Sequence, residues 1–310
     1  MLSAEIVRAQ GIDIMGIFFE TPFFSSKRAV ISAGSMNLPF KVIDITSRHL
    51  EVVKRPRHGY GGNMNPCIDC HALMFRIAGE LLSREGADFI VTGEVLGQRP
   101  MSQNRGSLDL IAKESGFADL VLRPLSARRL PITLPEKKGW INRDLLLDFY
   151  GRSRKPQMAL ARRLGIKDYP APAGGCLLTE KVFSRRLKDL FDNMDDVLIR
   201  DIELLKVGRH FNVGPGAKVV VGRNERENKV IIAHARDRDI VLSVAGIPGP
   251  TTLVTGRNPS EFVRIAGSIT AAYSDARQDE YVTVKIVSEG ESFFIKTAVT
   301  EKKDFFSFMI

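Results

Sequence analysis

Cysteine is scarce in this chain: its 310 residues carry three, Cys67, Cys70 and Cys176. So few thiols in so long a chain exclude a disulfide framework and leave metal binding or thiol chemistry in a reducing cytoplasm. No run of 18 or more apolar residues occurs, so no α-helical membrane span is expected. The opening residues, Met1-Leu2-Ser3-Ala4-Glu5-Ile6-Val7-Arg8, lack the basic-then-apolar layout of a secretion signal. A cytoplasmic protein is the expectation. The chain also lacks G-x-x-x-x-G-K-[ST] and G-x-G-x-x-G, so its residues alone do not establish ATP or dinucleotide binding. It has no internal repeat and no low-complexity tract.

What is present is enough apolar residue, 44%, for more than one core. The formal net charge is +9, and residues 151–190 carry ten Lys and Arg against three Asp and Glu. Such a field attracts polyanions, of which nucleic acid is the commonest in cytoplasm; a solvated basic helix face is the other reading.

The pattern predicts helix over 2–10, strand over 13–19, helix over 25–33 and strand over 38–45. Apolar spacing through Leu73, Ile77 and Leu81 predicts a helix over 67–84. A buried-type strand follows at 88–93, then a helix over 108–115 and a short strand at Val121-Leu122. Strands alternating with helices imply an α/β fold with a parallel sheet, whose ligands sit beyond the carboxyl ends of the strands. Residues 16–20 and 92–98 are assigned to such ends. Pro124, Pro131 and Pro135 make 124–140 an extended loop, with helices expected over 143–150, 155–164 and 181–193. A composition shift near 195–205 divides the chain into domains 1–195 and 196–310. In the second, strands are expected at 218–221, 229–233, 240–243, 281–287 and 292–300 around one helix at 260–273, a small α+β domain. The apolar tail Phe305–Ile310 is expected to dock.

Asn65-Pro66-Cys67-Ile68-Asp69-Cys70-His71 holds the thiol pair. C-x-x-C fits a redox dithiol, half a zinc site or two buried thiols. Pro66 sets a helix start, where the helix dipole lowers thiol pKa. Cys176 lies in Pro172-Ala173-Gly174-Gly175-Cys176, where glycine permits close backbone approach. Three thiolates on a four-position centre leave one position open; a zinc held by three cysteines and His71 or His58 competes. Gly59-Tyr60-Gly61-Gly62 reads as a flexible loop before the pair. Thr92-Gly93-Glu94-Val95-Leu96-Gly97-Gln98-Arg99-Pro100-Met101-Ser102-Gln103 is a nucleotide or substrate contact, or an ordinary connection. In the second domain, Arg209 and Arg223 stand at turns that bind phosphate or are merely solvated, and His210 and His234 read as structural.

These residues resemble the PP-loop, adenine-nucleotide α-hydrolase enzymes that thiolate tRNA. The stretch 92–103 is similar to T-G-E-S-L-G-Q-V-A-S-Q of tRNA 4-thiouridine synthetases, and Arg123-Pro124-Leu125 to their R-P-L. Asn65–Cys70 and Gly175-Cys176 resemble the cysteine regions of 2-thiouridine synthetases. The last ~110 residues resemble the NFACT-R type RNA-binding module through 221–228, Pro248-Gly249-Pro250-Thr251 and Ala272-Tyr273-Ser274. One departure is large: the family's first strand and S-G-G-x-D-S loop have no counterpart here, and Leu2-Ser3-Ala4 resembles the helix after that loop. A start codon placed too late, or a truncated gene, is the expectation.

The resemblance implies a Rossmann-like PP-loop ATPase lacking its first strand and phosphate loop. It implies a tRNA sulfurtransferase that uses ATP with Mg2+ to adenylate a uridine, then replaces the oxygen with sulfur. Gly16, Thr92, Gly93, Gln98, Ser102 and Gln103 would border the nucleotide. Cys67, Cys70 and Cys176 would hold a [4Fe–4S] cluster; Cys67 and Cys176 would otherwise act as persulfide and resolving thiol. The partners implied are tRNA and an unidentified sulfur donor, with no membrane and a homodimer permitted by an exposed sheet edge. The alternative is a non-catalytic or zinc-stapled RNA-binding protein.

Overall fold

The computed structural model describes residues 1–169, 175–194 and 196–310, so Pro172, Ala173 and Gly174 of the third cysteine's segment lie outside the described residues. The chain forms two compact units, Met1–Thr179 and Glu180–Ile310. The first runs α1 (Leu2–Arg8), β1 (Gly16–Glu20), α2 (Lys27–Ser35), β2 (Phe40–Asp44), α3 (Thr46–Lys54), α4 (Cys67–Glu85), β3 (Ile90–Val91), α5 (Arg105–Ser115), β4 (Val121–Leu122), α6 (Leu134–Lys137) and α7 (Lys155–Arg163).

Helix α4 starts directly after Pro66 and stops at Gly86, whose φ of +62° is a left-handed cap that glycine adopts without strain. Its buried stripe includes Leu73, Phe75 and Ile77. Phe75 packs with Ile111 of α5 against Ile90 and Val121. On the other side of the β3–β4 pair, Val7 of α1 packs with Leu122 and Leu146. Leu73 and Ile77 also reach Ile45, Phe19 and Ile43 beside the β1–β2 pair. Each such buried aliphatic side chain contributes about 1.5–3 kcal/mol through removal of its surface from water.

The class is mixed α/β, but the expected single Rossmann-like parallel sheet is not what the described residues form. β1 pairs with β2 and β3 with β4, both parallel, as two separate two-stranded sheets. The helix expected over 143–150 is also replaced. Only a single 3-10 turn forms at Arg143–Leu145, because the Leu147 and Phe149 N–H groups donate to Pro124 and Leu125 carbonyls at 2.9 and 2.8 Å.

The second unit runs α8 (Lys181–Asn193), α9 (Ile199–Leu204), β5 (Arg209–Gly214), β6 (Ala217–Val221), α10 (Glu225–His234), β7 (Ile240–Val244), β8 (Thr252–Gly256), α11 (Val263–Ala272), β9 (Tyr281–Ser288) and β10 (Glu291–Ala298). Its strands form one six-stranded antiparallel sheet in the order β10-β9-β7-β8-β6-β5. Leu242, Val254, Val284 and Ile286 pack against Ile269 of α11 on one face. Val220 and Leu253 meet Ile231 of α10 and Leu204 of α9 on the other. The tail docks as expected: Phe305 is buried and the Ile310 N–H donates to the His210 carbonyl at 3.0 Å.

Two expectations change here. Residues 229–233 are helical, not a strand: Asn224 caps α10 by accepting from the Glu227 N–H at 3.0 Å, and this cap overrides the β-branched run Val230-Ile231-Ile232. The unit boundary falls at 179/180 and not at 195, because α8 is tied to α9, β5 and β6. Its Arg186 donates to the Leu205 and Gly208 carbonyls at 2.8 and 3.0 Å, and its Asp189 pairs with Lys218 at 2.5 Å.

Candidate functional site

The three thiols come from two places in the first unit. Cys67 opens α4 and Cys70 lies one turn on, while Cys176 comes directly after the described Gly175. Tyr60 anchors the glycine loop by donating to the Val53 carbonyl at 2.6 Å. A Cβ on Gly61 would sit 2.6 Å from the Asn65 amide nitrogen, so only glycine lets Asn65 lie there. Asn65 Nδ2 then donates to Cys67 Sγ at 3.3 Å. The Leu177 N–H donates to the Phe23 carbonyl at 3.0 Å, fixing Cys176's neighbour to the segment after β1. Phe23 packs its ring 5.6 Å from that of His49, and His49 Nε2 lies 3.2 Å from Cys70 Sγ.

Burial pushes the Cys70 thiol well above its ordinary pKa, and the charges of Cys176, Cys67 and Asp69 push it further. The charges of the other two sulfurs therefore reach Cys70. The helix-end lowering expected for this pair does not prevail at Cys70, because enclosure and two neighbouring sulfurs outweigh the helix dipole. Burial holds His49 down to about 4, so its imidazole is neutral at pH 7, with Nδ1 buried and unpartnered. A cationic centre here would relieve the cost of ionising the buried Cys70 thiol, and in that respect the thiol set fits an iron–sulfur cluster. Among the described residues no three His, Cys, Asp or Glu side chains converge to hold one ion. His58 and His71, the expected fourth ligands, are engaged by Asp69 at 2.8 Å and Glu94 at 3.0 Å.

Glu94 gathers the other motifs. Its carboxylate is 4% exposed, accepts from Arg123 Nε at 2.8 Å, and accepts from His71 Nδ1. Arg123 also donates to the Leu108 carbonyl at 3.2 Å and lies over the Phe75 ring. Burial alone would raise the Glu94 pKa, but the His71 hydrogen bond and the Arg123 and His71 charges hold it below the usual carboxylate range. The His71 side chain is 26% exposed, with Nδ1 on Glu94 and Nε2 on the far edge of the ring.

Thr92 follows β3 directly, at its carboxyl end, with its N–H on the Leu122 carbonyl and its own carbonyl accepting from Ser3 Oγ at 3.1 Å. A Cβ at Gly93 would lie 3.9 Å from that Ser3 oxygen. Ser102 and Gln103 are buried, and Gln98 Nε2 and Gln103 Oε1 are buried without hydrogen-bond partners. Such atoms carry a desolvation cost that a bound ligand would relieve. Gly16 is different. It is the first residue of β1, at the amino end, so it does not border the crevice expected at the carboxyl end. The strand starts three residues later than the apolar run predicts, and a Cβ at Gly16 would strike Phe40 at 2.8 Å, which makes Gly16 a packing residue.

The loop after β3 is tied to a basic segment. The Gly151 N–H donates to the Leu96 carbonyl at 2.8 Å, and Arg129 lies over Tyr150. Burial and the charge of Arg99 lower the Arg154 pKa. The run 151–190 is not one surface, however. Arg186 is buried and structural. Residues 1–179 carry 25 Lys and Arg against 17 Asp and Glu, and residues 180–310 carry 20 against 19. His210 is buried and held down to about 3 by burial and the nearby Arg186 charge, with Nε2 on the Val207 carbonyl, as a structural role requires. Arg209 lies over Tyr273, and Arg223 pairs with Glu227.

Residues 208–309 match the family model described as NFACT protein RNA binding domain. The second unit carries an RNA-binding domain. No curated protein matches the chain. Among solved structures, the C-terminal part of the fibronectin/fibrinogen-binding protein from Streptococcus suis (FBPS) is similar over 79% of this chain and 100% of its own, at 16% identity. Its TM-score of 0.29 is too low to assign a fold. No helix among the described residues is long and apolar enough to cross a membrane.

Proposed function

We propose that this protein is a tRNA sulfurtransferase of the PP-loop type. The observation that carries the reading is the meeting at Glu94 of three stretches far apart in sequence: Thr92-Gly93-Glu94, Arg123-Pro124-Leu125 and the His71 that comes after the cysteine pair.

In this reading ATP with Mg2+ adenylates a uridine carbonyl oxygen, releasing pyrophosphate, and sulfur then displaces AMP. Thr92, Gly93, Gln98, Ser102 and Gln103 border the nucleotide, with the two unpartnered amides meeting its polar edges. Cys67, Cys70 and Cys176 would hold a [4Fe–4S] cluster, which when bound would supply a site that delivers sulfur at the sulfide level. His71, oriented by Glu94, takes or gives a proton at Nε2. Arg99, Arg154 and their neighbours hold the RNA backbone, and the second unit adds its own RNA contacts. The sulfur comes from a separate donor.

A non-catalytic RNA-binding protein is the second reading, in keeping with the RNA-binding family match. Deleting the gene in its host and measuring thionucleosides in total tRNA separates the two. Loss of one thiouridine, regained with the wild-type gene and not with a Cys176→Ala gene, is expected. An unchanged thionucleoside profile in the deletion strain contradicts the enzyme.

A further inference from the structure

The unit that contains this match is nearly neutral, 20 cationic against 19 anionic side chains over residues 180–310, so its net charge alone does not mark an RNA-binding face. Particular side chains must then supply its contacts with RNA. The β9–β10 ladder offers them. Register sets Lys285 opposite Phe294 and Thr283 opposite Lys296. Alternation then puts Tyr281, Lys285, Phe294 and Lys296 on one face, while Val282, Val284 and Ile286 point into the core with α11. This is the sheet face that α9 and α10 cover over β6, β7 and β8. Over β9 and β10 it stays open. Tyr281 is 77% and Phe294 58% exposed, and both lysines are exposed.

We propose that this face is a platform for single-stranded RNA, with bases stacking on Tyr281 and Phe294 and phosphates meeting Lys285 and Lys296. The inference rests on the RNA-binding half of the proposed function and not on its sulfur chemistry. Tyr281 stands opposite Ala298, four residues along β10 from Phe294. That is about 13 Å at the rise of an antiparallel strand. Adjacent bases in a strand lie only about 3.4 Å apart, so the two rings receive non-adjacent bases of an extended strand. A duplex keeps its base faces stacked inside and offers none to these rings. Lysines interleaved with aromatic rings suit a polymer that alternates π faces with phosphates better than an apolar protein surface.

The test is fluorescence anisotropy of the full chain with labelled short oligouridine and with a labelled RNA duplex. Tyr281→Ala with Phe294→Ala is expected to weaken oligouridine binding about tenfold or more while leaving duplex binding unchanged. Tyr281→Trp with Phe294→Trp keeps or strengthens it. Lys285→Gln with Lys296→Gln lowers the slope of log affinity against log salt by about 1.4. Unchanged oligouridine affinity in the double alanine variant, with RNA binding otherwise intact, overturns the platform. So does a loss that accompanies dissociation of a dimer in sedimentation velocity, which would make this face a contact between copies. Failure of the wild-type chain to bind either RNA overturns the RNA-binding reading as well.

Discussion

Arg123 Nε donates to Glu94 Oε2 at 2.8 Å with both side chains less than a tenth exposed, 29 residues apart in sequence. A carboxylate and a guanidinium so enclosed depend on each other. Glu94→Ala leaves a buried cation and is expected to destabilise the first unit by about 3–5 kcal/mol, read as a lower urea midpoint. Arg123→Met with Glu94→Met restores much of that stability while His71 loses its orienting partner. A double variant that is stable yet inactive in thiolation assigns Glu94 to positioning His71, and a fully active one does not.

Acid destabilises this protein in a defined window. His49 is held down to about 4 and His210 to about 3, both by burial, against 6.5 for an unfolded histidine. Below pH 6.5 the unfolded chain binds protons that the folded chain refuses, so stability is full above that pH and falls as pH drops toward 4. The loss is on the order of 3 kcal/mol per histidine when complete. The Glu94 carboxylate acts in the same direction, its contribution being lost as pH falls through its lowered folded pKa. Urea unfolding between pH 7 and 4 reads the slope, and His210→Gln should flatten it for the second unit.

Gln98 and Gln103 predict opposite signs for stability and binding. Their buried amide atoms lack partners in the ligand-free chain. Gln103→Met removes an unsatisfied acceptor and is expected to raise the melting temperature or leave it unchanged. The same change should weaken ATP binding, measured by calorimetry. A large loss of stability with unaltered nucleotide affinity would show that the amide is structural.

Arg186 separates charge from RNA contact. Although it sits in the most basic stretch of the sequence, it serves the Leu205 and Gly208 carbonyls. Arg186→Met should lower the stability of the second unit by about 2–4 kcal/mol, with two carbonyls left unpaired. It should leave the salt dependence of RNA binding untouched, whereas Arg152→Gln or Arg154→Gln should reduce that slope.

Much of this was legible in the sequence. The long helix α4 showed through Leu73, Ile77 and Leu81, and β9 and β10 showed as the β-rich runs 281–287 and 292–300. The strand expected over 88–93 is shorter, Ile90–Val91, and β4 showed at Val121-Leu122. Other features rest on signals that periodicity ignores. α10 is betrayed by Asn224 three residues before Glu227, not by its β-branched middle. α3, and with it His49, is announced only by Asp44, which accepts from the Thr46 N–H at 2.7 Å. Gly16 shows the converse: a glycine inside an apolar run marked close packing against Phe40, not a ligand. The ion pairs of Glu94 join positions 71, 94 and 123, and such long-range pairing leaves no local trace in a single sequence.

Iron and sulfide content after anaerobic reconstitution tests the union of the three thiols most directly. Wild-type chain is expected to take up about four irons with the broad visible absorption of a [4Fe–4S] centre. Cys67→Ala, Cys70→Ala and Cys176→Ala should each lose it while remaining folded. A colourless, iron-free wild type, or a full cluster in Cys176→Ala, would contradict a single site built from positions 67, 70 and 176.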